Sequence, residues 1–134
     1  MDLQHEPKLQ ETIKDCPRSM KKVRVFLYPN AREAYEKLKE KAPNSKIERS
    51  ILNGLKNKFE LIKTDAECGN KVKRRRYPES YVKEYGITNL YRLELPDFWR
   101  MFYSLSNEGD WVVAYVIDIM DHNEYNKIFG RKKR

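Results

Sequence analysis

Four side chains in the C-terminal half could carry out chemistry together: Arg92, Arg100, His122 and Tyr125. Imidazole gains or loses a proton near neutral pH, so His122 could act as a general acid or base. A guanidinium group presents a planar fork that matches phosphate oxygens, so the two arginines could stabilise a pentavalent phosphate. Tyr125 could stack on a base or donate a hydrogen bond to a phosphate. These residue types predict a site for a phosphate.

Each of these residues also has a purely structural interpretation. His122 could form hydrogen bonds at the start of the short helix that we predict after it. Arg92 could pair across strands with Glu94 or Asp97. Tyr125 could simply fill the edge of a sheet. The sequence alone leaves both interpretations open.

Two short basic runs dominate the charge of the chain. It has 28 lysines and arginines, 20 acidic residues and a formal net charge of +8. The first run supplies five positive charges and the second supplies four, which together exceed that net charge: Lys71, Lys73, Arg74, Arg75 and Arg76, then Arg131, Lys132, Lys133 and Arg134. Concentrated positive charge on a balanced domain indicates a polyanion binder. We expect the first run to bind RNA with Tyr103; the alternative is a solvated loop and a solubilising tail.

A pattern of strands must position the candidate site residues. Apolar side chains alternate with polar ones at Tyr91, Leu93 and Leu95, and again at Trp99, Met101, Tyr103 and Leu105. Turn residues follow each run, at Pro96-Asp97 and at positions 107–110. Residues 111–119 are almost continuously apolar, which is typical of a central strand covered on both faces. We predict an antiparallel meander of three strands with His122 just after the last one.

One strand and a helical hairpin precede this meander. Residues 21–28 alternate as a first strand does, and Asn30 with Glu33 suggests the start of a helix. Ser45 with Glu48 forms a capping box for a second helix. That helix has one apolar stripe, made of Ile47, Ile51, Leu55, Phe59 and Ile62. The order β-α-α-β-β-β predicts an α+β domain, with the helical hairpin on one face of an antiparallel sheet.

The length of 134 residues is typical of one domain. We expect an N-terminal appendage over residues 1–20, the domain over 21–130 and a basic tail over 131–134. Apolar side chains show no clear helical or strand period over residues 63–88. We therefore predict a functional loop there, which carries the first basic run. No apolar run approaches the roughly 18 residues of a membrane span, and the N-terminus lacks the apolar core of a signal peptide. We therefore expect a cytoplasmic protein without membrane association.

The order and spacing of these residues resemble those of the RelE/ParE superfamily, the small toxins of toxin–antitoxin modules. The resemblance lies in Leu90-Tyr91-Arg92-Leu93, a short turn, Phe98-Trp99-Arg100-Met101-Phe102-Tyr103, and an apolar strand that leads to His122 and Tyr125. It is clear over about the last 45 residues and weaker from Lys21 onward. It implies a RelE-like β-α-α-β-β-β fold with a short C-terminal helix.

The same resemblance implies an activity. RelE-like toxins that act at the ribosome cleave messenger RNA without a metal, by attack of a 2′-hydroxyl on the adjacent phosphorus, and an antitoxin protein holds them in check. Carried over, the resemblance implies that His122 or a lysine of the first run is the acid or base. Arg100 would stabilise the phosphorane, and Tyr125 would position a nucleotide. The residues implied to hold RNA or ribosomal RNA are Lys73, Arg75 and Arg76.

The chain departs from the family pattern just before His122. Active members often carry a further arginine there, whereas this chain has Asp118, Ile119 and Asp121. Two carboxylates beside a phosphate site would repel the substrate unless each is paired. The alternative function is therefore a non-catalytic RelE-fold module that binds nucleic acid or a protein, including a ParE-like gyrase inhibitor.

We expect neither a metal nor a small-molecule cofactor. Strand alternation sends Asp118 and Asp121 to opposite faces, and no second histidine lies near His122. The chain has no Walker loop, no GxGxxG and no GxSxG. The sequence thus gives no support for nucleotide hydrolysis, dinucleotide binding or esterase chemistry.

Overall fold

The computed structural model describes residues 21–130, which form one five-stranded sheet with helices on both faces. The strands are β1 (Lys22–Leu27), β2 (Asn70–Lys71), β3 (Tyr91–Glu94), β4 (Arg100–Glu108) and β5 (Trp111–Met120). The helices are α1 (Pro29–Lys41), α2 (Lys46–Thr64), α3 (Glu79–Tyr85) and α4 (His122–Phe129). Single 3-10 turns lie at Ala42–Asn44 and Arg74–Arg76, and a turn with non-helical backbone angles lies at Pro96–Phe98. The α+β class is confirmed; the appendage and tail predicted at 1–20 and 131–134 lie outside the described residues.

The sheet is mixed rather than antiparallel. Its strand order is β1-β5-β4-β3-β2, and the meander of β3, β4 and β5 is antiparallel as predicted. β1, however, runs parallel to β5, with Val23 opposite Val112 and Leu27 opposite Val116. The prediction of a wholly antiparallel sheet is therefore wrong. Alternation in a sequence reports which face a side chain takes, but it carries no information on strand direction.

The hairpin of α1 and α2 covers one face of the sheet, as predicted. Leu38, Ile51, Leu55 and Ile62 pack there against the buried side chains of β4 and β5. Ile47 is the exception in the predicted stripe, because it is 55% exposed. Burial of these side chains supplies most of the stabilisation of the hairpin, since apolar burial contributes about 25 cal/mol per Å².

The two predicted helix starts have different outcomes. The capping box of α2 is confirmed, because the Ser45 side chain accepts a hydrogen bond from Glu48 N at 3.4 Å. The cap pair of Asn30 and Glu33 is wrong. Helix α1 begins at Pro29, after the N-cap residue Tyr28, two residues earlier than a cap at Asn30 implies, and it has no side-chain cap. Proline at the first helical position has its φ already set for a helix and lacks the N–H that a cap would satisfy.

A second and smaller core lies on the opposite face. It contains Tyr81 of α3, Phe129 of α4 and the sheet residues Phe102, Ile117 and Met120. Helix α3 was not predicted, and it forms part of the segment that we expected to be a loop. With seven residues it is too short to show a clear helical period. β5 is buried on both faces, as its apolar sequence indicated.

No helix within residues 21–130 has the length and apolar character needed to cross a membrane.

Gly54 of α2 allows close contact with the turn between β3 and β4. A Cβ atom at this position would lie 2.5 Å from Pro96 Cδ and 2.9 Å from Pro96 Cγ, both atoms of a closed ring. We expect Gly54→Val to lower the free energy of unfolding by about 2 kcal/mol relative to Asn57→Val, since overpacking costs about 1–3 kcal/mol. Asn57 is exposed on the same helix, so Asn57→Val introduces the same side chain into α2 without overpacking the core. Chemical denaturation measures both, and equal stabilities would contradict this packing.

Candidate functional site

Strands β3 and β4 place three charged side chains on the face opposite the helical hairpin. The strand register pairs Glu94 with Arg100 and Arg92 with Phe102. Phe102 belongs to the smaller core of this face, whereas Leu93 belongs to the core under the hairpin. Because successive side chains of a strand alternate between faces, Arg92, Glu94 and Arg100 share the face of Phe102. Antiparallel pairing therefore brings the two predicted arginines together.

Glu94 lies between these arginines. Its Oε2 is 3.0 Å from Arg92 Nε and its Oε1 is 3.6 Å from Arg100 Nε. Both Nε atoms are buried. Within the described chain, neither N–H has an acceptor in hydrogen-bond geometry, so the contacts with Glu94 are ion pairs and not hydrogen bonds. Arg92 thus pairs with Glu94, but along its own strand β3 and not across strands as the structural interpretation had it; the cross-strand pair is that of Glu94 with Arg100. One carboxylate facing two guanidinium groups still leaves an excess of positive charge.

Tyr125 of α4 packs between the two arginines. The Cζ of Arg100 lies 4.1 Å from the centroid of the Tyr125 ring, a cation–π contact. Arg92 Nη1 donates to the Tyr125 hydroxyl at 3.5 Å. The ring also stacks on Phe129 with centroids 5.2 Å apart and is nearly parallel to Phe102 at 6.2 Å. Tyr125 is thus held by aromatic contacts while both arginines reach it.

His122 contacts Arg100 directly. Its Nδ1 lies 3.4 Å from Arg100 Nη1, and its Nε2 lies 3.2 Å from Asn126 Nδ2. A guanidinium can only donate, so Nδ1 is the acceptor in the contact with Arg100. Arg100 and Asn126 together therefore orient an exposed imidazole.

The first basic run meets this site in a groove of about 220 Å³. Its charged lining consists of four cations and no carboxylate, and Tyr125 forms part of its wall; the cations are Lys71, Lys73, Arg76 and Arg92. Arg76 Nη2 donates to Phe129 O at 3.2 Å, which ties the basic run to the end of α4. Tyr125, in the wall of the groove, contacts Arg100, and Arg100 in turn contacts His122.

Three residues predicted to contact RNA lie outside the groove. Arg74 and Arg75 are exposed on a 3-10 turn but do not line it. Tyr103 is fully buried, and its hydroxyl donates to Ala66 O at 2.8 Å and accepts from Gly69 N at 3.0 Å. Burial also raises the pKa of Tyr103. The prediction that Tyr103 contacts RNA is therefore wrong, because its place in the strand alternation sends it into the core under the hairpin.

The two aspartates before His122 have partners of their own. Asp121 caps α4 and accepts from Glu124 N at 2.9 Å. Asp118 accepts from the Tyr81 hydroxyl at 2.5 Å. Burial raises the pKa of Asp118, and hydrogen bonds, including that from Tyr81, oppose this rise. Neither carboxylate lines the basic groove, so the repulsion that the sequence suggested falls outside it.

A larger cavity of about 480 Å³ lies beside α1 and the end of β5. Its charged lining has five carboxylates and two lysines: Glu33, Glu48, Asp118, Asp121 and Glu124, with Lys37 and Lys41. An excess of carboxylates repels an anionic ligand, so we assign the phosphate site to the smaller groove despite its volume. Within residues 21–130, no group of three or more histidine, cysteine, aspartate or glutamate side chains could hold a metal ion.

Sequence reasoning missed one residue beside the site. From the sequence, Phe98 is only a member of the segment that resembles the RelE/ParE superfamily. In the structure it lies in the turn Pro96–Phe98, and its side chain is 73% exposed. Its ring centroid is 6.4 Å from that of His122. The sequence feature that indicates Phe98 is an aromatic side chain immediately after the turn residues Pro96-Asp97.

Comparison with protein-family models, curated proteins and solved structures finds no match to this chain.

Asp118 gives the protein a testable pH dependence. Its folded-state pKa lies above its ordinary value because burial disfavours the charged form. As the pH rises from about 4, the unfolded chain ionises first, so the folded state loses stability until the raised pKa is passed. Asp118→Asn removes this loss and can still accept from Tyr81. We expect its stability relative to wild type to increase between pH 4 and 7 in denaturation series, whereas a constant difference would contradict the assignment.

Proposed function

We propose that this chain is a cytoplasmic RelE-like toxin that binds single-stranded messenger RNA and cleaves it without a metal. The observation that carries the proposal is the basic groove, which has four cations and no carboxylate among its charged lining residues. Tyr125 connects it to Arg100 and His122. The order β1-α1-α2-β3-β4-β5, which is interrupted by β2 and α3 between α2 and β3, also supports it, because the resemblance implies a β-α-α-β-β-β order.

The groove suits a nucleic-acid backbone for electrostatic reasons. Each phosphate that a lysine or arginine neutralises releases counterions, and this release drives association. Lys71, Lys73 and Arg76 come from one short segment, whereas Arg92 comes from β3, so two segments of the chain contribute cations to the groove. Tyr125 adds an aromatic wall, which is the usual partner of a base in single-stranded RNA.

The cleavage step follows from the contacts of Arg100. In the proposed reaction, the 2′-oxygen forms a bond to the adjacent phosphorus and the bond from phosphorus to the 5′-oxygen breaks. Arg100 stabilises the charge of the phosphorane, because a guanidinium hydrogen-bonds to phosphate oxygens without losing its own charge. His122, held against Arg100, takes the proton of the 2′-hydroxyl or delivers one to the departing 5′-oxygen, and a lysine of the first basic run or water exchanges the other proton, so that the 2′-oxygen loses one proton and the 5′-oxygen gains one.

Tyr125 and the basic groove position the strand for this reaction. Tyr125 holds a nucleotide beside Arg100, and the groove holds the phosphates that follow. A ribosome could supply part of the RNA surface, as it does for the ribosome-dependent toxins that the chain resembles. An antitoxin protein with an acidic segment would block the same groove, since its carboxylates would compete with phosphates for the four cations.

A second candidate is a non-catalytic module that binds nucleic acid or a protein, including a ParE-like gyrase inhibitor. The observation that favours it is Glu94, which pairs with both arginines. A carboxylate at this point reduces the positive potential at the phosphate site and lies close to where a phosphorane would form. Both the nuclease and a non-catalytic module that binds nucleic acid would bind it in the groove. A cleavage assay must therefore distinguish the two.

Binding in the groove is tested with Lys71→Gln and Lys73→Gln combined. We expect this variant to bind a fluorescent single-stranded RNA more weakly at every sequence, because the change removes backbone contacts. The plot of log affinity against log salt should become shallower by about 0.7 for each lost contact. Lys56→Gln, an exposed lysine on α2, is the control and should leave both values unchanged. Equal salt slopes for all three proteins would argue against the groove.

Cleavage is tested by inducing the wild type and an Arg100→Ala, His122→Ala double variant in cells and mapping RNA 5′ ends. We expect new ends with the wild type and at least a 100-fold loss in the double variant, since removal of one oxyanion donor typically costs about 10²–10³ in rate. Asn123→Ala, an exposed neighbour on α4, is the control. New ends that persist in the double variant would contradict the roles of Arg100 and His122. A lack of new ends with the wild type would contradict the nuclease and favour the second candidate.

A further inference from the structure

Phe98 is the most exposed large apolar side chain within residues 21–130, at 73%. It ends the turn Pro96–Phe98, which joins β3 to β4. Asp97 and Phe98 have φ angles of 61° and 63°, in the left-handed region that bulky residues rarely adopt. Exposed apolar area and an unfavourable backbone conformation thus coincide at one residue. Observed backbone outliers of this kind cluster at functional sites.

Neither the core nor the turn requires a phenylalanine at this position. The ring is mostly in solvent, and glycine or asparagine suits the backbone conformation better. The turn itself is well supported: Leu95 N donates to Trp99 O at 2.8 Å, and Pro96 packs closely against Gly54 of α2. The fold therefore presents an open aromatic ring on a rigid support.

The ring is presented to the charged part of the candidate site. Arg100 Nη1 donates to the backbone oxygen of Phe98 at 3.1 Å and lies 3.4 Å from His122 Nδ1. The rings of Phe98 and His122 meet at an interplanar angle of 61°, with centroids 6.4 Å apart. Phe98, Arg100 and His122 thus form one group, in which the phenylalanine ring remains open to a ligand.

We propose that Phe98 is a nucleobase-stacking position, where a base of single-stranded RNA stacks on the ring while an adjoining phosphate contacts Arg100. Every base has a π-face, so stacking of this kind tolerates all sequences. Bases in a duplex are already stacked on one another, so the position selects single strands. The RNA then runs from the basic groove, past Tyr125 and Arg100, to Phe98. This inference rests on the proposed RNA binding and adds a contact at the end of the site away from the groove.

The test compares a labelled oligouridine with an RNA duplex of equal length by fluorescence anisotropy. We expect Phe98→Ala to weaken oligouridine binding by about 5- to 150-fold, the range for loss of one stacked base, and to leave duplex binding unchanged. Phe98→Trp should bind oligouridine at least as tightly as the wild type, because an indole stacks well. The control is Phe26→Ala, since Phe26 is also exposed, at 46%, but lies on β1 at the far edge of the sheet.

The outcomes separate this inference from the proposed function. If Phe98→Ala keeps full affinity for oligouridine while the Lys71 and Lys73 variant loses it, stacking at Phe98 is overturned and groove binding stands. If the wild type binds no RNA, both are overturned. Should Phe98→Ala fail to unfold cooperatively, Phe98→Trp decides the matter: weaker oligouridine binding than wild type would overturn the inference. An equal loss with Phe26→Ala would also overturn it.

Discussion

The packing of α4 on the sheet is the interaction on which the candidate site depends. Phe102 of β4 stacks on Phe129 with centroids 4.4 Å apart, and Tyr125 continues this aromatic contact one helical turn earlier. Because α4 is anchored there, His122 at its start reaches Arg100 and Phe129 at its end accepts from Arg76. A helix of eight residues would not hold these positions without tertiary packing. The same few rings therefore align both ends of the site.

Charge is distributed so that the groove stays positive although acidic residues surround it in the sequence. Asp121 caps the N-terminus of α4, and Asp118 accepts a hydrogen bond from the Tyr81 hydroxyl. Glu94 lies beside the proposed chemistry and is shared by two arginines. It can hold their guanidinium groups in place at the cost of some positive potential. Which of these two effects of Glu94 is larger decides between the proposed nuclease and the proposed binding module.

Much of the fold could be predicted because its elements carry local signals. Period-two alternation located β4 and the apolar run located β5, while the capping box of Ser45 and Glu48 located the start of α2. Helix α3 and the two-residue β2 gave no such signal, since they are too short to show a period. The parallel pairing of β1 with β5 was missed because it depends on where the segment after α2 returns the chain to the sheet.

The sequence by itself determined the residue types of the site, its concentration of positive charge and the faces of the main strands, because these follow from composition and local periodicity. It also contained the evidence against Tyr103, whose alternation with Met101 and Leu105 already placed it in the core. Only the tertiary structure decided that the basic run, Arg92 and Tyr125 line one groove, and that Phe98 faces solvent beside His122. These contacts join residues distant in the chain, or depend on the angle of one turn, and no local pattern encodes either.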